Sequence, residues 1–168
     1  MKLLAFYTGT GSDHQGRTLD DIRNFSRQEL EIVHDYIQWL FPLEVPSRFN
    51  PMAPCLTPRE IAEFRRSPIL QEQLIGSLRQ MLFFFGFTLS DDGDPHVAKS
   101  PDHSTCKKIW LKSGNHNCLR ISRMLRSLSI LGLRAYSEAF FLALQELAWY
   151  ERWRLGPDTY RRWKDNLG

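Results

Sequence analysis

The apolar and polar positions alternate in helical blocks separated by polar or proline-rich gaps. From Leu30 to Phe41 nearly every side chain is apolar except Glu31, His34, Asp35 and Gln38. On a helical wheel those four share about 100° of arc. Ser26 and Glu29 form the S-x-x-E pattern of a capping box. The pattern predicts one central helix over 26–41, covered on most sides, with a narrow polar strip and a stop at Pro42. Leu70, Leu74, Leu78, Met81, Leu82 and Phe85 mark a second helix that starts at Ser67-Pro68 and ends at Gly86. Ile121, Met124, Leu125, Leu128 and Leu131 mark a third over 115–131, ended by Gly132. Tyr136, Phe140, Leu144 and Leu147 form the buried face of a long helix over 133–154, and Pro157 opens a short tail helix carrying Tyr160 and Trp163.

Weaker signals fill the remainder. Thr18 can cap a short helix over 19–25, and Thr57-Pro58-Arg59-Glu60 is a second capping box, for a helix cut short by Pro68. Residues 3–7 read as a short extended segment before a glycine-rich turn, and 42–56, with four prolines, as a loop. Residues 88–114 are polar, with a turn at Asp91-Asp92-Gly93-Asp94-Pro95 and at most a turn or strand over 107–112. The expected architecture is all-α, a compact single-domain bundle over 1–168 of about six or seven helices with a short N-terminal extended segment.

Composition supports a globular domain. The chain has 168 residues, 42% of them hydrophobic, and a chain of this length can bury about 70% of its unfolded surface. No apolar run approaches the roughly 18 residues of a membrane-spanning helix. The five apolar residues after Met1-Lys2 are too few for a signal peptide. Three cysteines, Cys55, Cys106 and Cys118, cannot all pair, which favours free thiols in a reducing, cytoplasmic setting. The net charge of +3 is uneven. Residues 115–168 hold 9 Lys/Arg against 5 Asp/Glu, so this part can favour anionic partners.

Several stretches carry a family resemblance. They are His34-Asp35-Tyr36-Ile37-Gln38-Trp39-Leu40-Phe41-Pro42; Phe6-Tyr7; Gly16-Arg17 with Leu19-Asp20-Asp21-Ile22; Ala53-Pro54 with Leu56-Thr57, Glu60-Ile61 and Phe64-Arg65; Met81-Leu82 with Phe85-Gly86; and Asn115-His116-Asn117 with Leu119-Arg120-Ile121, Arg123, Leu125, Ser127-Leu128 and Leu131-Gly132. Across about 6–140 the chain resembles the conserved domain of the opioid growth factor receptor family, in a short form like its microbial relatives. The resemblance implies an all-helical domain. It also implies a non-classical receptor for the peptide Met-enkephalin, associated in animals with the nucleus and perinuclear membranes. No ligand contacts are implied residue by residue.

The candidate chemistry is that of binding. Asn115-His116-Asn117 opens a helix, where an asparagine cap and exposed N–H groups welcome anions. Arg120, Arg123 and Arg126 follow at three-residue spacing. Arg120 borders the apolar face and is expected to be buried and paired, with Asp35 or Glu31 as the acid; Arg123 and Arg126 turn away. Trp39 is expected in the core. The expected ligand-binding set is His34, Asp35, Trp39, Asn115, His116, Asn117, Arg120 and Arg123, between the 34–42 helix and the start of the 115–131 helix. It serves a non-enzymatic binding protein for a peptide or small anionic ligand. One alternative is a nucleic-acid-binding module using the Arg120/Arg123/Arg126 stripe; a second is an enzyme of unrecognised type using His34, His116 and Arg120.

No cofactor or metal is expected. Gly9-Thr10-Gly11 lacks the spacing of a nucleotide loop, and His103-x-x-Cys106 with His116-x-Cys118 offers zinc-ligand types without a C-x-x-C pair. No Ser-His-Asp arrangement, carboxylate pair or H-E-x-x-H helix is present. Oligomeric state is not specified.

Overall fold

The computed structural model describes residues 2–90 and 92–167. These form ten helices and one two-stranded sheet, a mainly α architecture. The chain divides into two compact units, with the boundary between Ser77 and Leu78.

The first unit opens with α1, Lys2–Tyr7, where the sequence reading placed an extended segment. Leu3, Phe6 and Tyr7 stand at helical spacing and are all fully buried, so a short helix puts these three side chains together on the core side. The glycine turn then closes it: Thr10 N and Gly11 N both donate to Ala5 O. Helix α2, Leu19–Arg23, has the expected Thr18 cap with a complete capping box to Asp21. Helix α3, Arg27–Ile32, has its own box between Ser26 and Glu29.

The single helix expected over 26–41 is two. Helix α3 stops at Val33, which is extended, and α4 spans only Ile37–Leu40. Two hydrogen bonds fix the break. The Tyr36 hydroxyl donates to Leu30 O at 2.8 Å, and Asn50 Nδ2 donates to Asp35 O at 2.7 Å, so that carbonyl serves a loop side chain. The polar strip therefore does not exist as a helical face. After the proline loop, Thr57 and Glu60 box the start of α5, Pro58–Arg66. Helix α6, Pro68–Phe85, follows and contains the unit boundary. Phe6, Tyr7, Trp39 and Phe64 form the aromatic centre, with Tyr7 edge-on to Phe64 at 4.8 Å.

In the second unit, β1 (Phe87–Ser90) and β2 (His96–Lys99) form an antiparallel hairpin pairing Phe87 with Lys99 and Ser90 with His96. Asp91, the first residue of the expected turn, lies outside the described residues; Gly93 takes φ +111°. Helix α7, His103–Trp110, occupies a stretch read as irregular, because His103, Cys106 and Trp110 make a buried stripe amid polar neighbours. Helix α8 (His116–Ile130), α9 (Arg134–Leu155) and α10 (Pro157–Asp165) pack on one another. Ser137 Oγ donates to Leu125 O at 2.8 Å, and Trp163 Nε1 to Cys118 O at 3.0 Å. Phe140 and Leu144 are fully buried, whereas Tyr136 is half-buried. Phe85, Phe87, Trp110 and Phe140 form the aromatic centre. Among the described residues no helix is long and apolar enough to cross a membrane. Among the described residues no disulfide forms; Cys106 and Cys118 are buried and Cys55 half-buried.

Gly86 is the joint between α6 and the hairpin. Its φ is +82°, and a Cβ there would lie 2.7 Å from Cys106 Cβ and 2.9 Å from His103 Cα. Gly114, at φ +73°, faces open space. Each glycine spares the chain a left-handed cost of about 1–2 kcal/mol. Gly86→Ala should therefore lose clearly more stability than Gly114→Ala in denaturant melts; equal losses would contradict the close packing against α7.

Candidate functional site

Three groups of side chains are candidates for a site. The first lies in the first unit, around Trp39, which is 2% exposed. Its indole N–H donates to His14 Nδ1 at 3.2 Å, and the two rings are nearly parallel, 12° apart. An indole nitrogen can only donate, so His14 Nδ1 accepts and the ring hydrogen sits on Nε2. That nitrogen lies 3.3 Å from Asp35 Oδ2. The other Asp35 oxygen accepts from Arg17 Nη2 at 2.8 Å, and Arg17 Nε donates to Asp13 at 2.7 Å. Asp13 is buried; its Oδ1 also accepts the Gln15 and Arg17 backbone N–H groups at 2.9 Å each, which shapes the loop. Burial pushes the Asp35 carboxyl up, but the hydrogen bond and the charge of Arg17 outweigh it and hold the group below the usual carboxylate range. His34 stands apart from this network: it is exposed, and its Nε2 lies 3.1 Å from Glu31 O.

The second group opens α8. Asn115 caps the helix by accepting from Asn117 N at 2.8 Å. Asn117 is fully buried, and its Oδ1 accepts from Arg120 Nη1 at 3.0 Å. Arg120 is 5% exposed, Arg123 half-buried and Arg126 exposed. The three arginines thus differ in depth and do not present one solvent-facing stripe.

The third group was not foreseen. A pocket of about 440 Å³ in the second unit is lined by Lys99 from the end of β2, His103, Ser104 and Lys107 from α7, and Glu146, Leu147, Tyr150 and Glu151 from α9. Lys99 Nζ lies 2.6 Å from Glu146 Oε1, and Lys107 Nζ 2.5 Å from Glu151 Oε1. Each hydrogen bond holds its carboxyl below the ordinary range. Backbone dihedrals leave helical values at Glu151, a kink in α9 where Arg154 also reaches its carboxylate at 3.3 Å. His103 is 5% exposed, with Nδ1 2.8 Å from Gly86 O. A carbonyl only accepts, so Nδ1 carries the hydrogen and Nε2 offers a lone pair. Burial lowers this imidazole, further helped by Lys107 and Lys99 and opposed by the Gly86 hydrogen bond.

Of the eight residues proposed from sequence, Asp35 and Trp39 are joined through His14, and Asn115, Asn117 and Arg120 are joined on α8. His14, Asp13 and Arg17 were missed, although Gly16-Arg17 stood in the family pattern; their loop has no periodicity to reveal them. The pocket residues Lys99, His103 and Lys107 recur every four positions, but across a strand end and a helix, which hides the pattern. Among the described residues no three His, Cys, Asp or Glu side chains gather as a metal-binding group.

Residues 1–148 match the model of the opioid growth factor receptor (OGFr) conserved region. The chain is 42% identical to the opioid growth factor receptor of Rattus norvegicus over 107 residues, 64% of this chain and 18% of that protein. It is 42% identical to the Homo sapiens protein of the same name over 108 residues, 64% of this chain and 16% of that one. With the opioid growth factor receptor-like protein 1 of Xenopus tropicalis it shares 38% over 122 residues, 71% of this chain and 23% of that one. The chain belongs to the opioid growth factor receptor family, and its match spans less than a quarter of these relatives' length. No solved structure matches it.

Trp39→Ala should cost about 3–5 kcal/mol, the range for a buried tryptophan, because it removes both core volume and the hydrogen bond to His14. Equilibrium urea unfolding checks this; a loss under about 1 kcal/mol would move Trp39 out of the core. Asp35 gives a pH signature. Its carboxyl is held below the ordinary value near 3.9, so the stability it adds is present above that value and fades as pH falls through the folded-state value. The advantage of the native chain over Asp35→Asn should be constant from neutral pH to about 5 and shrink below about 4. An advantage that persists unchanged at pH 2 would refute it.

Proposed function

We propose that this chain is a non-enzymatic, receptor-like binding domain whose ligand is a peptide or a small anion. The observation that carries the reading is Arg120, a guanidinium buried beneath the first turns of α8 and oriented by Asn117. Half-buried Arg123 and the Asn115-capped helix start bring further positive potential to the same end of α8. The family name of the relatives supports a receptor role, as does the lack of a recognisable catalytic arrangement in the sequence. Asn115, His116, Asn117, Arg120 and Arg123 are the proposed contacts in this unit. In the first unit His34 is the accessible candidate, since Asp35 and Trp39 are already engaged by Arg17 and His14.

Labelled Met-enkephalin and acetate are suitable probes for fluorescence anisotropy and calorimetry. If Arg120 serves a ligand, Arg120→Ala should abolish binding of the probe that binds and leave the melt nearly unchanged, while Arg126→Ala should bind normally. If Arg120 is instead a structural ion-pair member, the same change should cost about 3–5 kcal/mol. The second result, with binding retained in a folded Arg120→Met variant, would overturn the proposal.

A further inference from the structure

The pocket between α7, β2 and α9 is a separate site from the α8 residues, and its chemistry specifies a ligand. Its volume falls in the range of small-molecule sites, roughly 300–1,000 Å³. Its charged lining is balanced, with two ammonium groups against two carboxylates. The inner pair, Lys107 with Glu151, is mostly buried, with side chains 23% and 14% exposed; the outer pair, Lys99 with Glu146, is open at 40% and 60%. Exposed pairs contribute little and exchange partners readily, so the outer pair can open to a ligand while the inner pair keeps the walls in place. The lone pair of His103 Nε2 is buried and has no hydrogen-bond partner among the described residues. A buried acceptor of this kind calls for a donor. Tyr150 is mostly exposed, and Lys99 Nζ lies 5.7 Å from its ring centre, so the ring face already attends a cation.

We propose that this pocket binds a small zwitterion of the α-amino-acid type with an apolar or aromatic side chain. The ligand ammonium takes the place of Lys99 at Glu146 and donates to His103 Nε2. The ligand carboxylate takes the released Lys99, and its side chain lies on Leu147 and Tyr150. The exchange conserves charge on both sides. A lone cation would strand Lys99 and a lone anion would strand Glu146, so either should bind worse than a molecule carrying both charges.

Calorimetry and proton–nitrogen NMR titration of the whole chain test this with L-phenylalanine as probe. Saturable binding is expected, with amide shifts centred on 99–107 and 146–151. N-acetyl-phenylalanine keeps only the anion, and phenylalanine amide only the cation. Each should bind at least about tenfold more weakly, the loss of one charge-assisted contact. The peptide Phe-Gly-Gly-Gly amide separates a free amino acid from a peptide N-terminus. Glu146→Gln, at an exposed position, should fold normally and lose about tenfold in affinity. Arg134→Ala, at an exposed residue remote from the lining in sequence, should bind as the native chain. No binding of L-phenylalanine at millimolar concentration, equal binding of the acetylated compound, tighter binding of the peptide, or an unaffected Glu146→Gln would each overturn the proposal. None of these results bears on Arg120, so the two sites stand or fall separately.

Discussion

Three of the five tryptophans are buried, and each brings an indole N–H that must find an acceptor away from water. The fold is tied together at those three points. Trp110 donates to Phe85 O at 3.1 Å, Trp163 to Cys118 O at 3.0 Å and Trp39 to His14 Nδ1 at 3.2 Å. Each bond joins segments at least 25 residues apart. The first fixes α7 to the end of α6, and the second fixes the tail helix α10 to the start of α8. The third differs in kind: its acceptor is a side chain, so the aromatic core of the first unit is joined directly to a charged network. Through His14 the indole reaches Asp35, and through Asp35 it reaches Arg17 and Asp13.

The elements with local signals were legible in the sequence. Thr18, Ser26 and Thr57 form the capping boxes their spacing announces, and α6, α8 and α9 follow their apolar stripes to within a residue or two. Elements fixed by distant contacts were not. Nothing near Val33 announces a break; it comes from Asn50 taking the Asp35 carbonyl, 15 residues away. Helix α1 was too short for its stripe to stand out. Helix α7 was masked by the polar residues between its buried positions, among them Lys107, which reaches Glu151. The candidate site divides in the same way. The depth of Arg120 was readable from its place beside a strong apolar stripe. The roles of His14, Arg17 and His103 depend on loops and pairings that have no period.

Family membership and the geometry address different questions. Membership places the chain in the opioid growth factor receptor family, through a match covering under a quarter of these relatives' length. The two proposed sites are unlike. One is Arg120 with Asn117 near the start of α8. The other is a balanced set of paired charges beside His103. The exposed side chains of Trp149, Tyr150 and Trp153 continue from the second place along α9.

The cysteines differ in the same way as the tryptophans, by their surroundings. Burial pushes the Cys118 thiol up to about 11, and its carbonyl is occupied by Trp163. Cys106 is sealed beneath Gly86. Cys55 alone is half-buried. Thiol reagents attack the thiolate and need access to it, so the folded chain offers alkylating agents one fast site and the unfolded chain three. A maleimide dye or spin label can thus be placed at a single native position without replacing any residue, and the number of labels taken up during a brief pulse measures the fraction of molecules that have opened.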